Sequence, residues 1–241
     1  MALLEVSGLR KRYGAVVVAD DITFSIDTRC CLGLIGPNGA GKSSLFNMLT
    51  GIIVPNHGCM LFEGRDVGNA APHMRARLGI VRAFQIPRPF TQLSVYENVL
   101  TAASYGAGLV GKAAQRRAVE VLEMTGLLQR AELPAGQLRL LDRKRLELAK
   151  AIASNAKLLL LDEIASGLTD QEVAALVELI AGLKREHAII WIEHIPHALR
   201  AVADRIMVLH FGRKLLDGPP ADVMANPVMR EIYMGLAADA A

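Results

Sequence analysis

The chain has 241 residues, 52% of them hydrophobic, and 27 basic against 24 acidic residues give a formal net charge of +3. That length allows one large α/β domain, or a core with an inserted subdomain. The charge balance is too mild to imply nucleic acid, and no apolar run approaches the roughly 18 residues that span a bilayer. Met1–Gly8, with Glu5 and then Arg10, Lys11 and Arg12, does not read as a secretory leader.

Leu3–Val6 and Val16–Val18 read as short strands, and Ile22, Phe24 and Ile26 alternate with polar residues as a further one. Vicinal Cys30 and Cys31 point to opposite faces of the next strand. With Cys59 they make no metal spacing and read as small apolar residues in a reducing compartment. The apolar run Cys31–Ile35 leads into Gly36-Pro37-Asn38-Gly39-Ala40-Gly41-Lys42-Ser43 and then a helix-like stretch, Ser44–Leu49. This is a complete G-x-x-x-x-G-K-S loop in the strand–loop–helix context that its chemistry needs. Glycines let several N–H groups point at one centre, the helix start adds partial positive charge, and Lys42 adds a full charge between the β- and γ-phosphates. A structural glycine turn would not explain the lysine. The nucleotide contacts expected are Asn38, Gly39, Ala40, Gly41, Lys42, Ser43 and Ser44, with the Ser43 hydroxyl on a magnesium ion.

Gly51 and Pro55–Gly58 mark turns, and Gly58–Phe62 with Gly64–Asp66 suggest a hairpin on the same edge as the first strands. From Pro89 to Ser154 the pattern turns helical. Leu93, Val95, Val99 and Leu100 open it, with Ser94 as N-cap and Glu97 three residues on. Ala102–Gly111 reads as a loop or frayed helix end. Gln115–Leu128 reads as an amphipathic helix with Val119, Val121, Leu122 and Leu127 on its apolar side. The stretch Lys157–Leu161, apolar throughout after its lysine, suits a parallel strand covered on both faces. A helix over Ala174–Glu186, a strand over Ala188–Ile192, a short helix over Pro196–Ala203 and a strand over Arg205–Leu209 follow, an alternation that argues for βαβ units. The Ala-rich end, Ala237–Ala241, reads as frayed. The clusters Arg75, Arg77, Arg82, Arg88 and Arg139, Arg143, Lys144, Arg145 read mostly as solvated faces.

Ligands of an open parallel sheet sit at the carboxyl ends of its strands, which puts Asp162 and Glu163 beside the phosphate loop. Asp162 suits the magnesium shell through water, and Glu163 suits the base that polarises an attacking water. His194 follows the strand Ile189–Ile192 at the same edge and can donate to a γ-phosphate oxygen. Gln85, at the boundary of the helical section, can touch magnesium or the attacking water. Tyr13 can stack on adenine; the competing reading is a half-buried core tyrosine.

Tyr13, Gly36–Ser43, Gln85, Leu158–Asp162 with Glu163, and His194, in this order, resemble the ATP-binding subunit of ABC transporters across essentially the whole chain. Arg82–Gln85, Leu93–Leu100, Trp191–His194 and Ile232–Gly235 look like the branched-chain amino acid importer branch, in particular its larger ATPase subunit. The resemblance implies an α/β P-loop NTPase (RecA-like) core with a parallel sheet, an N-terminal antiparallel β edge and an inserted helical subdomain. Residues 1–88 and 155–241 would be the core of this single domain, and 89–154 the subdomain. It implies ATP and Mg2+ as cofactors. The ATPase dimer would be head-to-tail, with a second ATPase subunit that is a smaller paralogue, or with an identical copy. Two transmembrane permease subunits would dock near Gln85, and a periplasmic binding protein would deliver the solute. The chain would then lie at the cytoplasmic face of the inner membrane, peripheral through the permeases, with no nucleic acid partner.

The chain departs from the family at the signature loop, L-S-G-G-Q. Leu133–Gln137 is a near-match, but the register of Leu146–Ala151 aligns Leu138–Asp142 to it. Arg139 then replaces the serine and Leu141 the second glycine, whose bulk obstructs approach to phosphate; Asp142 can cap the following helix. The resulting expectation is asymmetry: a competent site of its own and a weak signature lent to the opposite site. Ile164 stands where the family often has proline, Arg29 where a turn glycine is common, and Ser166–Thr169 fits the D-loop. Three readings compete with an importer ATPase. A non-transport ABC-type ATPase would carry tandem cassettes or long coiled-coil insertions. An exporter cassette would usually be fused to membrane helices. A P-loop kinase would not predict Glu163 beside Asp162 with His194 downstream.

Overall fold

The computed structural model describes residues 2–229, and the N-terminal segments that alternate apolar and polar residues build its edge. β1 (Leu4–Tyr13) and β2 (Val16–Ile26) form an antiparallel hairpin, so the two short apolar segments after Tyr13 are one strand. Its core face carries Ile22, Phe24 and Ile26, alternating as the sequence requires. β3 (Cys31–Ile35) and α1 (Lys42–Leu49) flank the phosphate loop. β4 (His57–Phe62) and β5 (Arg65–Asp66) join the first hairpin in a four-stranded sheet of order β2-β1-β4-β5.

Two elements that no sequence pattern announced come next: α2 (Pro72–Leu78) and β6 (Ile80–Ala83). Arg82 inside a four-residue strand breaks the apolar run that would have revealed β6. The helical section holds α3 (Val95–Thr101), a π-helical turn over Ala102–Gly106, α4 (Lys112–Met124) and α5 (Leu140–Ala153). The Ser94–Glu97 capping box is present in both directions. α4 starts earlier than its periodicity suggests. It buries Ala114, Ala118, Val121 and Leu122 and leaves Val119 exposed, because the small alanines let α4 pack closely against its neighbours.

The rest of the chain alternates strands and helices: β7 (Leu158–Asp162), α6 (Asp170–Leu183), β8 (Ala188–Ile192), α7 (Pro196–Val202) and β9 (Arg205–His210). β10 (Arg213–Gly218) and α8 (Pro220–Ala225) follow; neither has a clear apolar period. The second sheet has order β10-β9-β3-β8-β7-β6, parallel except for β10. Successive residues of its strands feed two apolar layers. Leu158, Leu160 and Ile190 face α1 and the antiparallel sheet, while Leu159, Leu161 and Trp191 face the helices. Cys31 and Cys30 divide between the same two layers, whereas Cys59 is exposed and so is no core residue. The segments Ile232–Gly235 and Ala237–Ala241 lie outside the described residues.

The basic clusters are less solvated than their sequence suggests. Arg75 is fully buried and donates to the carbonyls of Met48, Leu49, Gly68 and Ala70, closing the end of α1. Arg82 and Lys144 are also withdrawn from solvent, and both belong to the site.

Candidate nucleotide site

The parallel register brings four strand ends to one edge. Ala83 lies beside Leu161, Asp162 beside Ile192, and Ile192 beside Leu34, so the loops after β6, β7, β8 and β3 open side by side. The phosphate loop wraps onto this edge at close range. At Gly41, with φ 102°, a Cβ atom would stand 2.4 Å from the Val18 carbonyl oxygen, so only glycine fits. No side chain caps α1, which leaves its first N–H groups facing the loop. Lys42 is buried and donates to Gly36 O at 2.6 Å and Pro37 O at 3.1 Å. Burial lowers its pKa, while the fields of Glu163 and Asp162 act the other way. Asn38, Gly39 and Ser43 are exposed at the loop mouth, Ser44 is half-buried, and Ala40 turns into the core.

Glu163 occupies the centre of the edge. Its backbone is left-handed, φ 46°, and its N–H is held by the Ile192 carbonyl at 2.9 Å. One carboxylate oxygen accepts from Gln85 Nε2 at 2.7 Å and the other meets His194 Nε2 at 2.6 Å. Three residues found separately in the sequence, 78 and 31 positions apart from Glu163, therefore form one cluster. Asp162 is not free beside them: Arg82 donates to its Oδ2, and also to Asn47 Oδ1 at 2.7 Å. The guanidinium lies between the rings of Phe46 and Phe84, 5.5 and 5.0 Å from their centroids. Sequence reasoning missed Arg82. Its signal is a lone charge inside an otherwise apolar strand, which must find a partner when buried.

Glu193 was missed as well, although it immediately precedes His194. It is 1% exposed and accepts from Ala165 N at 2.9 Å and His194 N at 3.0 Å. Burial pushes its carboxyl up, and the two backbone donors pull it partly back. It thereby ties the turn after β7 to the turn after β8. Tyr13 lies outside both apolar layers, half-exposed, with Lys11 Nζ 4.9 Å from its ring centroid. The core-tyrosine reading therefore does not hold.

The two candidate signature loops separate cleanly. In Leu133–Gln137, Ala135 N donates to Leu93 O and Gly136 N to Thr91 O, so its backbone donors are used within the subunit. Leu138–Asp142 instead leads into the first turn of α5. Leu138 is buried, Arg139 is the N-cap residue without a side-chain hydrogen bond, and Leu140 is exposed. Asp142 does not cap the helix. It pairs with Arg130 at 3.2 Å and Arg145 at 3.6 Å, which turns its charge inward. Arg143 draws the loop tight through Leu138 O and Gly136 O, both at 2.8 Å. Arg29 does adopt a glycine-like backbone, φ 59°, and Thr169 closes the D-loop by capping α6 in a capping box with Glu172.

A phosphate loop, an acid pair and a downstream histidine at the carboxyl edge of a parallel sheet define a P-loop nucleotide-binding ATPase. Residues 19–166 match the ABC transporter family, and the chain belongs to that family. It is 35% identical to the high-affinity branched-chain amino acid transport ATP-binding protein BraF of Pseudomonas aeruginosa, over 97% of this chain and 98% of that protein. LivG of Salmonella typhimurium, which carries the same description, is 36% identical over the same shares. LptB of Acidithiobacillus ferridurans, a lipopolysaccharide export system ATP-binding protein, is 31% identical over 97% of both chains. The crystal structure of the ADP conformation of an ATP-binding cassette of an ABC transporter superposes with a TM-score of 0.88 at 26% identity, covering 98% of this chain and 99% of that one. The chain is thus a transporter ATPase that binds ATP, not a non-transport ATPase or a kinase. The export relative is matched along nearly its whole length, so the absence of a membrane-crossing helix among the described residues does not by itself separate import from export.

Proposed function

We propose that this chain hydrolyses ATP to drive an importer of branched-chain amino acids or a related small solute. The observation that carries the catalytic part is Glu163 held between Gln85 and His194 at the edge where the phosphate loop opens. A carboxylate fixed there accepts a proton from water attacking the γ-phosphate. Lys42 balances charge on the β- and γ-phosphates once it exchanges the loop carbonyls for them. His194 and Gln85 orient Glu163 and the reacting groups, and Tyr13 offers its exposed ring to adenine. The exposed Ser43 hydroxyl, the Asp162 carboxylate and the Gln85 amide oxygen are hard oxygen donors that suit Mg2+, which would draw charge from the phosphates.

Several features support the assembly. Among the described residues no helix is long and apolar enough to cross a membrane, so membrane work requires permease partners. Phe84, Ile86 and Phe90 flank Gln85 as exposed apolar side chains, Ile86 at 71%, where two permease subunits would dock. The complex then sits at the cytoplasmic face of the membrane, with a periplasmic protein delivering solute. The identities to BraF and LivG support the branched-chain solute class. The second ATPase is a smaller relative with an intact signature, which makes this chain's own site the fast one. The test is ATP hydrolysis and solute uptake by the reconstituted complex. Glu163→Gln abolishes both while ATP still binds; uptake and hydrolysis that survive it overturn the assignment.

A further inference from the structure

α5 carries a row of charged side chains below its tip. Lys144, Glu147 and Lys150 follow one another at three-residue steps and so share one side of the helix. Lys144 is 2% exposed, and its Nζ donates to the Gln85 carbonyl at 2.6 Å. Glu147 Oε1 accepts from Arg88 N–H at 2.8 Å, and Lys150 Nζ donates to Arg88 O at 3.0 Å and to Glu147 at 2.8 Å. The three side chains therefore hold both ends of the segment Gln85–Arg88.

That segment has little else to fix it. Residues 84–90 form neither helix nor strand, Gln85, Ile86 and Arg88 are exposed, and Pro87 and Pro89 have no N–H to donate. The cost of burying an ammonium is high. Burial lowers the Lys144 pKa against the opposing fields of Glu193 and Glu163. The ammonium makes its hydrogen bond to a main-chain carbonyl, and that carbonyl belongs to the residue whose amide reaches Glu163 at 2.7 Å.

We propose that α5 serves its own subunit as the anchor of the Gln85 loop, with Lys144 as a positioning residue that holds Gln85 against Glu163. α5 then has two separable duties. Leu138–Asp142 hold the position of the signature lent to the opposite nucleotide, as the family resemblance implies, while Lys144, Glu147 and Lys150 serve the site on the same chain. The inference rests on Glu163 being the hydrolytic base, as proposed above.

The experiment uses the full chain assembled with its transporter partners and compares Lys144→Met, Lys144→Arg, Glu147→Met and Glu163→Gln. Three quantities are read: steady-state ATP hydrolysis, equilibrium binding of a fluorescent ATP analogue, and amide hydrogen exchange across residues 85–90. Lys144→Met is expected to lower kcat about tenfold, the scale of a misplaced catalytic contact, with KM and analogue affinity changed less than about twofold. It is expected to speed exchange at Gln85–Arg88, and Lys144→Arg to restore most of kcat. Should Lys144→Met fail to assemble, Glu147→Met carries the same exchange test at Arg88. A kcat loss without faster exchange, a loss that Lys144→Arg does not restore, or unchanged kcat and exchange would each overturn the proposal. Full hydrolysis by Glu163→Gln would remove the base assignment, whereas faster exchange in Lys144→Met would still uphold the anchor.

Discussion

The edge around Glu163 and the tip of α5 are built on opposite plans. At the edge, polar groups on four loops converge: Lys42 after β3, Gln85 after β6, Asp162 and Glu163 after β7, His194 after β8. Lys42 is held within its own loop, and the others by partners from another loop or strand, as Arg82 holds Asp162 and Glu193 holds the turns carrying Ala165 and His194. At the tip of α5, two of the polar side chains are turned inward. Asp142 is spent on Arg130 and Arg145 and Arg143 on two carbonyls, which leaves Arg139 and Leu140 as the exposed residues. The contrast is what the proposal of unequal sites requires: converging polar groups for the chain's own nucleotide and a divergent tip for its partner's.

The largest expected effect breaks the strong side. Glu163→Gln should lower kcat roughly a thousandfold, within the range for a removed general base, with ATP binding retained. Steady-state hydrolysis and analogue binding check it together. Arg82→Met comes next. It takes from buried Asp162 the one cation paired directly with it among the described residues and leaves only the field of Lys42, and removing one partner of such a pair costs about 3–5 kcal/mol, readable as a lowered denaturant midpoint. A midpoint within experimental error of the parent would show that the pair does not frame the edge. Leu141→Gly sharpens the weak side. It should raise hydrolysis at the partner's site about tenfold, near what one recovered hydrogen bond to a charged group is worth; unchanged turnover there would show that the side chain is not the obstacle.

The smallest effect is a pH dependence. Burial raises the Glu193 carboxyl above its ordinary 4.5. The folded state therefore holds the proton more tightly than the unfolded chain. The stability this contributes is fully present below about 4.5 and is lost as pH rises through the folded value. Glu193→Gln should flatten that slope in denaturant titrations across the acid range, and an unchanged slope would remove Glu193 as its source.

What could be read from sequence divides along the same physical line. Gly36–Ser43 was legible because its chemistry needs contiguous residues in a fixed context, and Asp162-Glu163 because a wholly apolar strand ends on them. The alternation in β2, the Ser94–Glu97 cap and the strands β3, β7, β8 and β9 were legible from local pattern alone. The shared edge of His194 and Glu163 was legible from the strands that precede them, but the direct contacts of Gln85 and His194 with the Glu163 carboxylate were not, since they depend on strand order rather than on spacing. Arg82, Lys144 and Glu193 escaped notice because their partners lie 80, 59 and 28 positions away, and a charged residue on a helix or strand ordinarily reads as a solvated face. β6 and β10 were missed because arginine or lysine interrupts strands too short to show a period.

The claim of unequal sites is tested most directly by inactivating one base at a time in the assembled transporter and measuring ATP hydrolysis. Glu163→Gln in this chain should remove nearly all turnover, and the matching substitution in the partner ATPase should remove little. Equal losses from the two substitutions would contradict the account, because they would mean that the Leu138–Asp142 tip completes the opposite site as well as an intact signature completes this one.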